Sequence, residues 1–433
     1  MRDFINKAKQ KAEQVELYQV AVTETPVRFD NNRLKSIDTN EKQINALRIV
    51  KDGRLGFATS TATDLEQLLN MAETTAQFGR EWDIPLPGAA TLPQVEMNHP
   101  TAEMETEAMV TMGAEIVKRL GECHPDVLAS VHFNTRRVTT RLINSQGFSG
   151  EYNKSLFSLL SSIDLTEGKN MLSMYAGFIS GQVEDQVDQV VNFLVENFQH
   201  GRNNVPVKSG KYTVIFSPQG MGDIINPLLE CANGLAVEKG FSPWKGKLGE
   251  KLFSDQFSLY DDATIPYAPA SCVFDGEGIA ARRTPVIAKG RINSFILNMV
   301  TAKALGLEST GNGFRSRTGE LSAPSNSNIV LEIANTQPLE QLLGSVQQGI
   351  IIHSLMGAWA GNPYSGQVNG NIDLGFLIED GHIKGRVKDC MVSVNVFEAF
   401  RAQIEAASAE KEWAWNMYLP HLKLNDVSIN AKA

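Results

Sequence analysis

Four cysteines and seven histidines in 433 residues leave little material for metal or disulfide chemistry. Cys123, Cys231, Cys272 and Cys390 lie far apart, which excludes a CxxC pair, a zinc ribbon and a dense disulfide framework. Among His99, His124, His132, His200, His353, His382 and His421, no two stand three or four residues apart, so no helix offers an adjacent zinc-binding pair. No run approaches the roughly 18 apolar residues of a membrane span. Lys and Arg number 40 against 49 Asp and Glu, a net charge of −9, which argues against a general nucleic-acid binder. The pairs Arg136-Arg137 and Arg282-Arg283 read as surface charge. The opening Met1-Arg2-Asp3-Phe4-Ile5-Asn6-Lys7 lacks the apolar core of a signal peptide, so a reduced, cytoplasmic setting is the expectation.

Local catalytic motifs are scarce as well. No GxxxxGK[ST] loop and no GxSxG elbow occurs. Gly276-Glu277-Gly278-Ile279-Ala280-Ala281 fits a loose GxGxxA pattern, but Arg282-Arg283-Thr284-Pro285 follows where a dinucleotide loop needs a helix. The acidic pairs Asp261-Asp262 and Asp275-Gly276-Glu277 could hold Mg²⁺ or Ca²⁺ or act as acid and base. Their glycine-rich setting favours tight turns in which Asp accepts from backbone N–H groups. A lone thiol is read as buried and inert.

What is present is periodicity. Phe4 to Gln14 reads as a short helix, followed by strands at Glu16–Glu24, Gln43–Lys51 and Arg54–Thr61, the last two joined by the hairpin signal Asp52-Gly53. Thr63-Asp64-Leu65-Glu66 reads as a capping box ahead of a helix carrying Leu65, Leu68, Leu69 and Ala72. Pro85, Pro87, Gly88 and Pro93 break regular structure between Gly79 and His99, where a boundary is expected. A helix with Met109, Met112, Ile116 and Leu120 then precedes strands at Val127–Asn134, Val138–Asn144, Tyr152–Leu165 and Met171–Phe178. The stripe Val183, Val187, Val190, Val191, Leu194, Val195, Phe198 forms a further helix with Gly201 as its C′ residue, and Gly201–Gly210 reads as a polar linker. Beyond it, Tyr212–Phe216 is a strand, and Met221, Ile224, Ile225, Leu228 and Leu229 have helical spacing. Strands and glycine turns dominate the rest, with helices near Phe295–Leu305, Pro338–Gln347 and Val396–Ala407. The expected class is α+β: N-terminal α/β segments, then a large strand-rich C-terminal domain with a few helices. The expected domains are 1–100, 101–205 and 210–433.

The third unit carries a recognisable order of motifs: Asp261-Asp262, Asp275-Gly276-Glu277-Gly278, Thr301-Ala302-Lys303-Ala304-Leu305-Gly306 and Ser309-Thr310-Gly311-Asn312-Gly313. The run resembles the DD…DxEG…tAxxlG…sTGNa pattern of the TldD/TldE family, also called PmbA/TldA or "modulator of DNA gyrase" proteins. Asp52-Gly53-Arg54-Leu55-Gly56-Phe57-Ala58 is similar to that family's N-terminal "dGrxGfa" hairpin, so the likeness spans nearly the whole chain.

The resemblance implies a heteromeric zinc peptidase. TldD-type subunits carry HExxxH on the helix after a strand, with two His on zinc and Glu as general base, plus a cysteine ligand near the C-terminus. Here the matching positions are Asn226, Pro227 and Cys231, and no cysteine follows Cys390. Pro227 is expected to begin a helix, with Asn226 as its cap. No catalytic or metal residue is assigned to this chain, and zinc is expected in a TldD-type partner. The implied role is a TldE/PmbA-type subunit that pairs with that partner around an extended peptide substrate bound by β-augmentation. The glycine turns at Gly311–Gly313 and Gly357–Gly370 are candidates for backbone approach. In isolation the same surfaces allow a homodimer. Two rival readings are an unconventional peptidase centred on Cys231, Cys390 and a distant His, and a regulator of DNA gyrase or another protein without direct catalysis.

Overall fold

The computed structural model describes residues 1–316 and 320–432. The strands β1 (Gln14–Asp30), β2 (Arg33–Ile37), β3 (Asn40–Lys51), β4 (Arg54–Ser60), β5 (Leu128–Asn144), β6 (Ser149–Glu167) and β7 (Asn170–Ser180) form one antiparallel sheet. Its order is β4-β3-β1-β5-β6-β7, with β2 beside the far end of β1. β1 is the hinge of this pairing: Leu17 lies opposite Leu47 of β3 on one side and Ile143 of β5 on the other. The β3–β4 turn is the expected hairpin, with Asp52 and Gly53 at φ 52° and 69°, both left-handed as a tight primed turn requires.

That sheet corrects the expected boundary near residue 100. Segments 1–100 and 101–205 build one sheet, because β1 has an apolar residue to bury at each of its two neighbours. The breaks at Pro85, Pro87 and Pro93 mark a chain segment without regular structure, not a division between two sheets. The stretches Val127–Asn134 and Val138–Asn144 likewise form one continuous strand, β5, running straight through Arg136-Arg137.

Helices cover the sheet. α1 (Arg2–Ala8) is shorter than the expected Phe4–Gln14, and α2 (Leu65–Ala76) packs Leu68, Leu69 and Ala72 against Leu47, Ile49 and Ala58. Asp64 alone caps α2, accepting from the Glu66 and Gln67 N–H groups at 3.0 Å each, so the expected Thr63 box is not the cap. α3 (Thr106–Gly121) buries Met109, Ile116 and Leu120. α4 (Gln186–Arg202) buries Val190, Val191, Leu194 and Phe198 in a core shared with Phe133, Phe157 and Phe178 of the first sheet and Phe376 of the second. Gly201 is inside α4 instead of past its end: a Cβ there would sit 2.9 Å from the Leu172 Cδ1 atom, so close packing selects the glycine. The expected linker is tied down too. β8 (Asn204–Val205) pairs in parallel with Arg386–Val387.

Among the described residues the second sheet has thirteen strands. Its main path runs from Arg291–Ile292 through Arg283–Ala288, β10 (Phe257–Asp262), Ile329–Ile333, Met417–Ala431, β9 (Gly210–Phe216), Gln348–Met356, Gln367–Glu379 and His382–Val387 to β8. The expected helix over Val396–Ala407 ends at Gln403, and Ile404 opens a strand that pairs with the C-terminal one. Few helices on strand-rich sheets make the fold α+β, as expected. Among the described residues no helix is long and apolar enough to cross a membrane.

Candidate functional site

The helix at which the resemblance places a zinc motif is α5 (Pro218–Ala232), which follows β9. Ser217 is its N-cap and Pro218 occupies its first turn. Pro227 is therefore not a helix start, which corrects the sequence expectation: the helix begins nine residues earlier, where a Ser-Pro pair supplies both cap and preset φ. Inside the helix, Pro227 has no N–H to donate to the Asp223 carbonyl; it is buried, in a helix whose Met221, Ile224, Ile225 and Leu228 enter the core. Asn226 is exposed on the opposite side. Cys231 is buried, and burial pushes its thiol up to about 12, so it stays protonated near neutrality.

An exposed amide, a proline ring and a protonated buried thiol are not a donor set for zinc, which takes imidazole, thiolate or carboxylate. Among the described residues, no group of three or more His, Cys, Asp and Glu is arranged to hold a metal. The cysteine-centred rival finds no support either. Cys390 is also buried, its thiol is raised by burial, and its sulfur contacts the Lys388 carbonyl at 3.2 Å.

The acidic and glycine motifs of the third unit converge elsewhere, in a buried knot. Asp275 Oδ1 accepts from the Glu277 and Ile279 N–H groups at 2.9 Å each, and its Oδ2 accepts from the Gly313 N–H at 2.8 Å. Glu277 accepts from the Met299 N–H at 2.7 Å and the Ser322 hydroxyl at 2.6 Å. Asp261 accepts from the Asn312 amide at 2.8 Å and from the Ser327 N–H and hydroxyl at 2.6 and 2.7 Å. Asn298 and Thr301 cap the helix Met299–Leu305 reciprocally. Burial raises the Asp261 carboxyl to about 6, and burial together with the neighbouring Glu277 charge raises Asp275. The acidic pairs thus organise turns, as their glycine-rich setting suggests. The Gly311–Gly313 turn lies within this knot, closed to an incoming backbone. No helix follows Gly276–Ala281; a strand does, from Arg283.

The knot also holds the N-terminal sheet. Arg315 donates to the Gly276 carbonyl at 2.8 Å and to Glu16 of β1, which also accepts from Arg48 of β3 at 2.6 Å. Sequence reasoning missed this triad. Glu16 sits between Val15 and Leu17, and strand alternation alone reads such a position as the solvent face. The signal lay in Asn45 and Arg48 interspersed along the otherwise apolar Ile44–Val50 stretch of β3, a hint that both faces of the sheet are covered there.

Beside the knot, a cavity of about 570 Å³ opens between the first sheet and the second unit. Val20, Val22, Ile44, Val138 and Leu156 form its floor, and residues 269–272, 314–316 and 325–327 its roof. Separately, His353 lies against the Phe193 and Phe376 rings with His421 as a second buried imidazole near it, and burial holds the two down at about 3 and about 4. The basic pairs are locally paired: Arg136 with Glu24, Arg137 with Glu103, and Arg283 with Glu332, while Arg282 donates to the Ser309 and Thr310 carbonyls.

The family model for the PmbA/TldA metallopeptidase C-terminal domain matches residues 209–431, more than half the chain. The chain belongs to the PmbA/TldA metallopeptidase family. The family's domain 1 matches residues 15–77, from β1 into the start of the loop after α2. A metalloprotease of Archaeoglobus fulgidus is 26% identical over 389 residues, 87% of each chain. Among solved structures, TldE from Thermococcus kodakarensis superimposes with a TM-score of 0.92 at 23% identity, covering 100% of both chains. The Thermotoga maritima protein described as a modulator of a DNA gyrase gives 0.89 at 21% identity, covering 99% of both. These two likenesses establish a shared fold along the whole PmbA/TldA chain.

Proposed function

We propose that this PmbA/TldA-family chain is the non-metal-binding, TldE/PmbA-like subunit of a cytoplasmic TldD/TldE zinc metallopeptidase complex that cleaves unstructured peptides. The observation that carries the reading is α5, where Asn226, Pro227 and Cys231 stand at the positions that the resemblance gives to two zinc ligands and a general base. A helix that presents a solvent-facing amide and a protonated thiol supplies neither a Lewis acid nor a base for amide hydrolysis. Zinc then belongs to a TldD-type partner, and this chain completes the chamber around the peptide.

An extended peptide would bind by adding to a sheet edge, reading backbone and little sequence. β7 ends the first sheet's order, whereas the outer edge of β4 is occupied by residues 79–82, with the Leu55 N–H donating to the Arg80 carbonyl at 2.9 Å. β7 is therefore the edge assigned to this role. The test is metal analysis of the purified chain and a peptidase assay with and without a TldD-type partner. Activity only in the presence of the partner, with no zinc on this chain, is the expected result. Stoichiometric zinc together with hydrolysis by the chain alone would overturn the proposal.

A further inference from the structure

The cavity beside the knot has a construction that the peptidase reading does not use. Its floor is the apolar face of four strands, and one buried cation in its lining, Lys154, has no counter-charge from the protein among the described residues. Lys154 is 8% exposed and donates to the Pro269 and Ser271 carbonyls at 2.5 and 2.9 Å, which occupies two of its three protons. Among the described residues no carboxylate comes within ion-pair distance of it. The acidic group beside it is Cys272, whose thiol burial keeps protonated and uncharged. Arg315, stacked 4.9 Å from the Tyr18 ring further along the lining, already has its counter-charge in Glu16.

Buried charge is costly unless it is paired, and a buried ammonium facing an open cavity invites an anion. Arg136 and Lys42 add positive charge to the same lining, where Glu24 is the opposing carboxylate. The volume falls within the roughly 300–1,000 Å³ typical of small-molecule sites. An apolar floor beside a buried ammonium matches a ligand that has an apolar body and one anionic head.

We propose that this cavity binds a small amphipathic carboxylate, whose head pairs with Lys154 and whose apolar body lies on Val20, Val138 and Leu156. Two sources share that chemistry, the C-terminus of a short apolar peptide and a free fatty acid. The site is contained in this chain alone, so it stands or falls separately from the subunit assignment.

Titration calorimetry on the full-length chain tests it with three probes: acetyl-Leu-Val bearing a free carboxylate, the same dipeptide as its C-terminal amide, and octanoate. Binding of the free acid or of octanoate, with the amide silent, supports the proposal, and the probe that binds identifies the source. Lys154→Met is expected to weaken binding at least about tenfold, the worth of a charge-assisted hydrogen bond. Val138→Trp, on the half-exposed strand surface, is expected to abolish binding by filling the floor, and decides the matter if Lys154→Met does not fold. No heat from any carboxylate, equal binding of acid and amide, or unchanged binding by a folded variant overturns it.

Discussion

Arg315 and Glu16 are 299 residues apart in sequence and form an ion pair with side chains 1% and 0% exposed. Among the described residues, Glu16 is the one carboxylate within ion-pair distance of either guanidinium, since Arg48 bonds its other oxygen. This contact joins the N-terminal sheet to the motif knot of the second unit. Glu16→Gln leaves both guanidiniums buried without a counter-charge and is expected to cost about 3–5 kcal/mol. Arg315→Met leaves Glu16 paired with Arg48 and should cost less. Urea unfolding of the two variants checks the order, and a Glu16→Gln cost no larger than that of Arg315→Met would refute the account.

Gly313 belongs to the family motif because of space, not flexibility. A Cβ there would lie 2.5 Å from Glu277 Oε2, the oxygen that accepts from the Met299 N–H. Gly313→Ala is expected to destabilise by about 2 kcal/mol or more, through displacement of that buried carboxylate. Gly222 in α5 is the matched control, because a Cβ added there would meet nothing within 4 Å. Gly222→Ala should stabilise by about 0.5–1 kcal/mol, as helix propensity dictates. Thermal unfolding distinguishes the two signs.

Local patterns carried the elements well, and long-range pairing carried the errors. The Asp52-Gly53 hairpin, the α4 stripe and the α5 stripe were legible because each is encoded within a few residues. The shared first sheet was not, because nothing in β1 announces that Leu17 will face both Leu47 and Ile143. The same holds for the site. That Asn226, Pro227 and Cys231 stand where the resemblance places HExxxH was readable by motif, whereas the position of Pro227 in mid-helix depended on Ser217-Pro218 starting the helix earlier. Lys154 gave no local signal: its cavity exists only once residues 269–272 fold over β6.

Thiol reactivity separates the cysteines by burial. Cys123 is partly exposed, while Cys231, Cys272 and Cys390 are buried. Burial raises the Cys231 and Cys272 thiols to about 12, so their thiolate fraction at pH 8 is negligible. A disulfide-exchange reagent is expected to modify one thiol of the native chain, Cys123, and all four in denaturant. Cys123→Ser should abolish the native reaction. Rapid native labelling of Cys231 would revive the cysteine-peptidase reading.

His353 and His421 should make the fold acid-sensitive, and the sign follows from their depressed pKa values. Both are buried as neutral rings, at about 3 and about 4, against about 6.5 in an unfolded chain. Their contribution is complete above pH 6.5 and is lost as pH falls toward those folded values, because the unfolded chain takes up the protons first. At pH 5 each ring is expected to cost about 2 kcal/mol. Asp261 works in the opposite direction: its raised carboxyl favours the fold below about pH 4, and that contribution fades as pH rises through about 6. A wild-type pH profile therefore mixes the two, and a variant is needed to isolate the histidines. His353→Leu keeps an apolar side chain against Phe193 and Phe376 while removing one titrating ring. In urea unfolding at pH 7 and pH 5, its loss of stability on acidification should be smaller than that of the wild type by about 2 kcal/mol. Equal losses in the two proteins would mean that His353 reaches a proton without unfolding.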